Sequence, residues 1–183
     1  MLSEVLMFMA EPKFTFCIPN LNKREYLPAC IESVLAQDCG DWRCVFVDGY
    51  STDGSWEYMQ QFASDSRFLL LRGQKQGMYA DWNECLKYVE TEYFYFLTSD
   101  DTCFPDLITK TTSILEACKD VDACHFDFAL IDPEGNFLDK SHILSKEVSI
   151  YSEFNNYIHR RLGFFEFLMH FVDGAVYTTI TSL

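Results

Sequence analysis

Apolar and polar positions alternate in blocks along the first two thirds of the chain, and these blocks predict strands that alternate with helices. Short apolar runs typical of buried strands cover residues 14–18, 43–47, 68–71 and 93–97. Each run is followed by a segment in which apolar residues recur at helical spacing, over residues 26–36, 55–63, 78–89 and 105–117. Strands joined by crossover helices form a mostly parallel sheet, so we predict an alternating α/β fold.

The pattern changes beyond residue 120. Residues 123–131 have the composition of a strand, residues 132–136 that of a turn, and Phe137 begins a predicted return strand, which together indicate a hairpin. Residues 154–172 fit one amphipathic helix or two shorter ones, and residues 175–180 resemble a strand. We find no internal repeat and no linker composition, so we predict a single domain over 1–183, folded from about residue 13, with halves at 13–120 and 121–183.

Composition narrows the classes of partner. The chain has 28 acidic and 14 basic residues, a formal net charge of −14, and 49% hydrophobic residues. Such a negative protein repels nucleic acid and anionic lipid headgroups, so we expect a phosphate-bearing ligand to need a metal ion. The eight cysteines include no C-x-x-C pair, and the four histidines have no zinc-site spacing. Reduced cysteines and the absence of an apolar run of about 18 residues predict a cytoplasmic protein.

The strongest candidates for chemistry follow the predicted strands, because ligands of open parallel sheets bind beyond the carboxyl ends of their strands. Pro19 and Asn20 follow the first strand, Asp48 ends the second, and Asp100 and Asp101 follow the fourth. Adjacent carboxylates can share a divalent cation such as Mg²⁺ or Mn²⁺, which would bridge the protein to a diphosphate. The alternative is that the Asp100–Asp101 pair only caps the helix that begins near residue 105.

Three other acidic positions have ordinary structural explanations. Asp53 lies in a turn before a predicted helix and is interpreted as a cap. Asp81 lies near the start of the third helix, where capping and packing compete with ligand binding as explanations. The pair Asp120 and Asp122 precedes its strand instead of following it, so we interpret it as unrelated to the site.

Four segments gain significance from their order along the chain. They are FCIPNLN at 16–22, VDGYSTDGS at 47–55, GMYADWN at 77–83 and FLTSDD at 96–101. Together they resemble the nucleotide-sugar glycosyltransferases of family 2, whose GT-A fold is a Rossmann-like alternating β/α sandwich. The resemblance implies that Pro19 and Asn20 line the donor pocket, that Asp48 contacts the base, and that Asp81 belongs to the donor site. It also implies that Asp100 contacts the ribose or sugar and that Asp101 holds the metal.

The same resemblance implies a reaction. A sugar would pass from a nucleotide-diphosphate donor, with a UDP-sugar favoured, to an acceptor hydroxyl with inversion, in polysaccharide or glycolipid synthesis. That setting would place the protein at the inner face of a membrane without insertion into it. An apolar end segment containing Tyr177 and Ile180 suggests a homodimer as one further partner.

The chain departs from the family pattern in its second half. The family's acidic motif for the general base is missing after Asp101, and Asp173 is the nearest late carboxylate that could serve. We therefore expect a shortened form or fragment, and the main alternative function is a catalytically silent module that binds a sugar nucleotide. A nucleotidyltransferase is a third hypothesis, disfavoured because residues 20–24 contain no glycine.

Overall fold

The computed structural model describes residues 11–124, 126 and 129–138. Four strands and four α-helices alternate within this part of the chain. In order they are β1 (Phe14–Asn20), α1 (Leu27–Leu35), β2 (Trp42–Asp48), α2 (Ser55–Met59), β3 (Phe68–Arg72), α3 (Met78–Leu86), β4 (Tyr93–Phe96) and α4 (Leu107–Ala117). The four strands and four helices predicted up to residue 117 are present, although α2 is short and continues as a 3-10 turn over Gln60–Phe62. The strand predicted over 123–131 is not formed by the described residues of that range, of which only Ile131 makes an isolated bridge.

The four strands form one sheet in the order β3, β2, β1, β4, and every pairing is parallel. The predicted parallel α/β sheet is therefore confirmed. The register places Asn20 beside Asp48 and Asp48 beside Arg72, so the carboxyl ends of β1, β2 and β3 are level with one another. This alignment brings the loops that follow the three strands to one edge of the sheet.

Both faces of the two central strands are buried, which explains why β1 and β2 have almost no polar positions. On one face, rings of Phe14, Phe16, Trp42 and Phe68 lie in successive contact, with centroids 5.0 to 6.1 Å apart. On the other face, the cluster of Cys17, Val45 and Val47 packs against Cys85 of α3. Parallel strands covered on both faces are expected to be continuously apolar, as they are here.

A buried amide connects α1 to the start of α4. The side chain of Gln37 donates from Nε2 to the carbonyl of Phe104 at 2.8 Å and accepts from the backbone N–H of Ile108 at 3.2 Å. The second bond satisfies one of the backbone donors that a helix leaves unpaired in its first turn. The loop that carries Asp100 and Asp101 is therefore fixed at its far end.

The chain divides into two compact units, Met1–Lys119 with Leu183, and Asp120–Ser182. In the second unit the predicted hairpin turn is present, since Ile131 pairs antiparallel with Phe137 and Leu138 donates to Leu130 at 2.8 Å. The helix predicted over 154–172, the strand over 175–180 and Asp173 lie outside the described residues. The single-domain organisation stays a prediction. Among the helices described, none is long and apolar enough to cross a membrane.

Candidate functional site

Three polar side chains end three neighbouring strands and form a single row, which we call the polar row: Asn20, Asp48 and Arg72. They occupy matching register positions on β1, β2 and β3, so their side chains lie on the same face of the sheet. Asn20 donates from Nδ2 to Asp48 Oδ1 at 2.9 Å, and Arg72 donates from Nη1 to Asp48 Oδ2 at 2.6 Å. The carboxylate of Asp48 is thus held between an amide and a guanidinium.

Asp48 is fully buried and well satisfied. Its Oδ2 also accepts the backbone N–H of Ser51 at 2.9 Å, and Ser51 Oγ accepts from Asn20 Nδ2 at 3.1 Å and from the backbone of Asn22 at 2.9 Å. The side chain of Asp48 has 0% exposure, whereas that of Arg72 has 28%. In this conformation the polar row therefore meets solvent through Arg72. A direct contact between Asp48 and a base stays a prediction.

Arg72 was not predicted from the sequence as a site residue. Its guanidinium lies over the rings of Trp56 and Tyr50. Its guanidinium carbon is 4.2 Å from the ring centroid of Trp56 and 5.3 Å from that of Tyr50, and the ammonium of Lys75 is 4.3 Å from Tyr50. Cations over aromatic faces attract the ring quadrupole, which fixes the orientation of the guanidinium. The signal that could have identified Arg72 was available, because it directly follows the apolar run at 68–71.

The loops after β1, β2 and β3 each contain one non-glycine residue with a positive φ angle. These residues are Asn22 at 54°, Tyr50 at 68° and Lys75 at 57°. For a tyrosine this conformation is unfavourable, and such residues persist where the surroundings hold them in place, frequently at functional sites. For Tyr50 the surroundings are Arg72 and Lys75, the two cations beside its ring.

Asp81 lies on the opposite face of the sheet from the polar row, against the backbone of two glycines. A Cβ atom at Gly73 would lie 2.1 Å from Asp81 Oδ1, and one at Gly49 would lie 3.0 Å from Oδ2. Only glycine leaves space for a carboxylate at these distances. Asp81 is 4% exposed, and within the described part of the chain no hydrogen-bond donor reaches its Oδ1. Burial raises the pKa of Asp81, and the charges of Asp48 and Glu84 raise it further.

This raised pKa predicts a specific pH dependence of stability. The native state holds the Asp81 proton more tightly than the unfolded chain, so wild-type stability gains as pH falls through the native pKa. We expect the difference in free energy of unfolding between Asp81→Asn and wild type to move in favour of wild type as pH falls from 7 through the mildly acidic range, as measured by urea unfolding. Asp65→Asn is the control, because its partner Arg67 lowers the pKa of Asp65 and the difference should stay flat over that range. A flat difference for Asp81→Asn as well would contradict the prediction.

Asp100 and Asp101 follow β4 and face the loop after β1. Lys23 forms an ion pair with Asp100, with 2.7 Å between Nζ and Oδ2, and the hydroxyl of Thr98 donates a short hydrogen bond to Asp101 Oδ2. Burial raises the pKa of Asp101, the Thr98 hydrogen bond opposes this, and the charge of Asp100 adds to the rise. Burial and the neighbouring charge of Asp100 therefore both disfavour the ionised form of Asp101.

Of the remaining predicted positions, Pro19 and Asp53 lie within the described residues and Asp173 does not. Pro19 is buried in β1 beside Val47, one position before the polar row. The capping role of Asp53 fits the structure, because its Oδ1 accepts from the backbone and hydroxyl of Ser55 at 3.0 and 2.6 Å. Within the described ranges, no group of three or more His, Cys, Asp or Glu side chains is arranged to hold a metal ion. Asp173, the candidate base, lies outside the described residues.

The known sequences that this chain resembles are glycosyltransferases. The family model described as glycosyl transferase family 2 matches residues 15–177. A Mycobacterium bovis protein named PGL/p-HBAD biosynthesis glycosyltransferase is 37% identical over 122 residues, which are 65% of this chain and 48% of that protein. A Bacillus subtilis protein named for teichuronic acid biosynthesis is 29% identical over 135 residues, 71% of this chain and 52% of that protein. The chain thus spans about half the length of these relatives.

Comparison with solved structures concerns the fold. S. aureus TarS, solved with UDP-GlcNAc, matches with a TM-score of 0.55 at 22% identity, covering 58% of this chain and 32% of TarS. The mannosyltransferase PcManGT from Pyrobaculum calidifontis, solved with GDP-Man and Mn²⁺, matches with a TM-score of 0.57 at 20% identity, covering 69% and 37%. These likenesses and the parallel sheet confirm the predicted GT-A fold.

Proposed function

The chain belongs to glycosyltransferase family 2, and we propose that it binds a nucleotide-diphosphate sugar at the carboxyl edge of its sheet and transfers the sugar to an acceptor hydroxyl. The observation that carries the proposal is the meeting of two features at one edge. The polar row ends β1, β2 and β3, and the Asp100–Asp101 pair follows β4 and reaches the loop after β1 through Lys23. Ligands of parallel sheets bind at this edge.

The polar row supports a role in recognising the base. Arg72 presents guanidinium N–H groups, which are donors to the carbonyl oxygens that uracil and guanine carry. Asp48 holds the Arg72 guanidinium in place through a 2.6 Å charge-assisted hydrogen bond. Because the guanidinium is already ordered, ligand binding does not have to offset the entropy of ordering it. The exposed ring of Tyr50 offers a face on which a base can stack. A uridine nucleotide is the donor that we favour.

The Asp100–Asp101 pair fits a divalent cation. The atoms available to bind a metal are carboxylate oxygens, with the hydroxyl of Thr98 beside them. A Mg²⁺ or Mn²⁺ ion that binds together with a nucleotide is coordinated by one or two protein carboxylates and by phosphate oxygens of the nucleotide. The raised pKa of Asp101 indicates that a positive charge there would be stabilising. We assign Asp101 as the metal-holding residue. A bound cation would neutralise the charge of the diphosphate as it departs.

We propose an inverting transfer, which is the reaction that the family resemblance implies. The bond between the sugar's anomeric carbon and the diphosphate oxygen breaks, and a bond from that carbon to the acceptor oxygen forms with inversion. The acceptor proton passes to a general base, for which Asp173 stays the candidate. Polysaccharide or glycolipid assembly is the setting we propose, and it is supported by relatives that are named for PGL/p-HBAD biosynthesis and for teichuronic acid biosynthesis.

Calorimetric titration with UDP, GDP and dTDP, each with Mn²⁺ and with EDTA, tests the proposal. We expect one nucleotide, UDP in the first place, to bind in the presence of Mn²⁺ and to lose most of its affinity in EDTA. The absence of binding by all three nucleotides in Mn²⁺ would contradict a donor site at this edge. Nucleotide binding without sugar release or transfer in the presence of UDP-sugars and acceptors would support the silent binding module instead.

A further inference from the structure

Lys23 lies beside the Asp100–Asp101 pair of the proposed donor site. Its ammonium pairs with Asp100, next to the assigned metal residue Asp101, and it also lies 5.5 Å from the ring centroid of Tyr26. It belongs to the loop after β1, in which the backbone of Asn22 is tied to Ser51. Lys23 thus neutralises one of the two carboxylates of the Asp100–Asp101 pair.

We propose that Lys23 is an exchangeable counter-ion, which neutralises Asp100 in the free protein and moves to the donor diphosphate when nucleotide and metal bind. The inference rests on the proposed function and adds a residue to it. In the free state Lys23 competes with a cation for the carboxylates. In the bound state it contributes a charge-assisted hydrogen bond to a phosphate oxygen.

The character of the ion pair permits this exchange. The side chains of Lys23 and Asp100 are 41% and 38% exposed, and ion pairs this exposed contribute little to stability. Breaking the pair therefore costs little. Lysine has a flexible four-carbon stem and a compact ammonium with three rotatable donors, so it can turn from a carboxylate to a phosphate without movement of its backbone.

Charge balance explains why a protein of this composition needs such a residue. A formal net charge of −14 repels a diphosphate, and two of the carboxylates that contribute to it lie where we propose that the diphosphate binds. A divalent cation on Asp101 offsets part of this repulsion. Release of Lys23 from Asp100 frees a further positive charge at the moment when the metal replaces it as the partner of the acidic pair.

The proposal predicts changes of opposite sign in Lys23→Met. Without the competing ammonium, Mn²⁺ alone is expected to bind about two- to fivefold more tightly, the range set by an exposed ion pair. Without the phosphate contact, UDP at saturating Mn²⁺ is expected to bind about tenfold more weakly, as for loss of one hydrogen bond to a charged group. A residue with a purely structural role would not move the two affinities in opposite directions.

The experiment measures Mn²⁺ affinity from the electron paramagnetic resonance signal of the free ion, and UDP affinity by calorimetry at saturating Mn²⁺. Lys13→Met is the matched control, since Lys13 forms an exposed 2.7 Å ion pair with Glu116 at the other end of β1. Lys23→Arg keeps the charge and is expected to retain most of the wild-type UDP affinity. Thermal unfolding of each variant verifies that it is folded.

Failure of the Lys23 exchange and failure of the proposed donor site give different results in these measurements. Opposite shifts in Lys23→Met, with no shift in Lys13→Met, support the exchange. If wild type binds Mn²⁺ and UDP but Lys23→Met changes neither affinity or weakens both, the exchange is overturned and the donor site stands. If wild type binds neither Mn²⁺ nor UDP, the donor site fails and the exchange fails with it.

Discussion

Replacing Asp48 with alanine is expected to lower the free energy of unfolding by about 3–5 kcal/mol, because it removes a fully buried carboxylate and the three hydrogen bonds that this carboxylate accepts. The substitution leaves Arg72 without its carboxylate and leaves donors of Asn20 and Ser51 unpaired at the ends of the central strands. Unsatisfied groups in such a place cost their full desolvation penalty. Urea unfolding monitored by tryptophan fluorescence measures the loss, and nucleotide affinity is expected to fall with it.

The control for Asp48 is an aspartate in an exposed ion pair. Asp106 lies 2.6 Å from Lys110, and the side chains of the two are 43% and 73% exposed. Asp106→Ala is therefore expected to cost less than about 1 kcal/mol. Equal losses for the two variants would contradict the view that the polar row is held together by a buried carboxylate.

Replacing Asp101 with alanine is expected to reduce UDP affinity in the presence of Mn²⁺ by roughly 100-fold, because the protein loses its assigned cation ligand. In EDTA the variant and wild type are expected to bind UDP equally weakly. The variant loses the hydrogen bond from Thr98, but it also loses the repulsion between Asp101 and Asp100. These two effects on stability oppose each other, so we expect the variant to unfold at no lower temperature than wild type. Calorimetry with and without Mn²⁺ measures the effect.

The sequence offers its own control for this variant. Asp120 and Asp122 have the spacing of a metal motif but precede the predicted strand, and we expect Asp122→Ala to leave UDP affinity unchanged. If Asp101→Ala binds UDP and Mn²⁺ as wild type does, the assignment of the metal residue is wrong. If Asp122→Ala has the larger effect, the metal site lies in the second unit.

The strands were predictable from sequence because β1 and β2 are buried on both faces. Such strands have continuous apolar runs, and the runs stop where the chain reaches the edge of the sheet. The same rule located Asn20 and Asp48, since polar residues that directly end these runs lie together when the strands are parallel. Helix α2 was predicted too long because its apolar spacing continues through a turn that the structure forms as 3-10 helix.

The contacts within the site were not predictable. Arg72 follows its strand as clearly as Asp48 does, but only the register shows that the two are neighbours. Gly73 gave no signal of its role, because its need for glycine comes from Asp81, which lies on another element of the chain. Gly77 has a positive φ of 92° with open space around it, so its backbone conformation explains the glycine there.

The central claim is that the carboxyl edge of this sheet holds a nucleotide diphosphate and its metal. A crystal structure of the chain with UDP and Mn²⁺, with data collected near the manganese absorption edge, tests it most directly. We predict an anomalous peak within about 2.2 Å of an Asp101 carboxylate oxygen, in the range of metal–oxygen bonds for such cations, and a uracil ring in contact with Arg72. Manganese bound away from Asp101, or a nucleotide bound away from the polar row, would contradict the account.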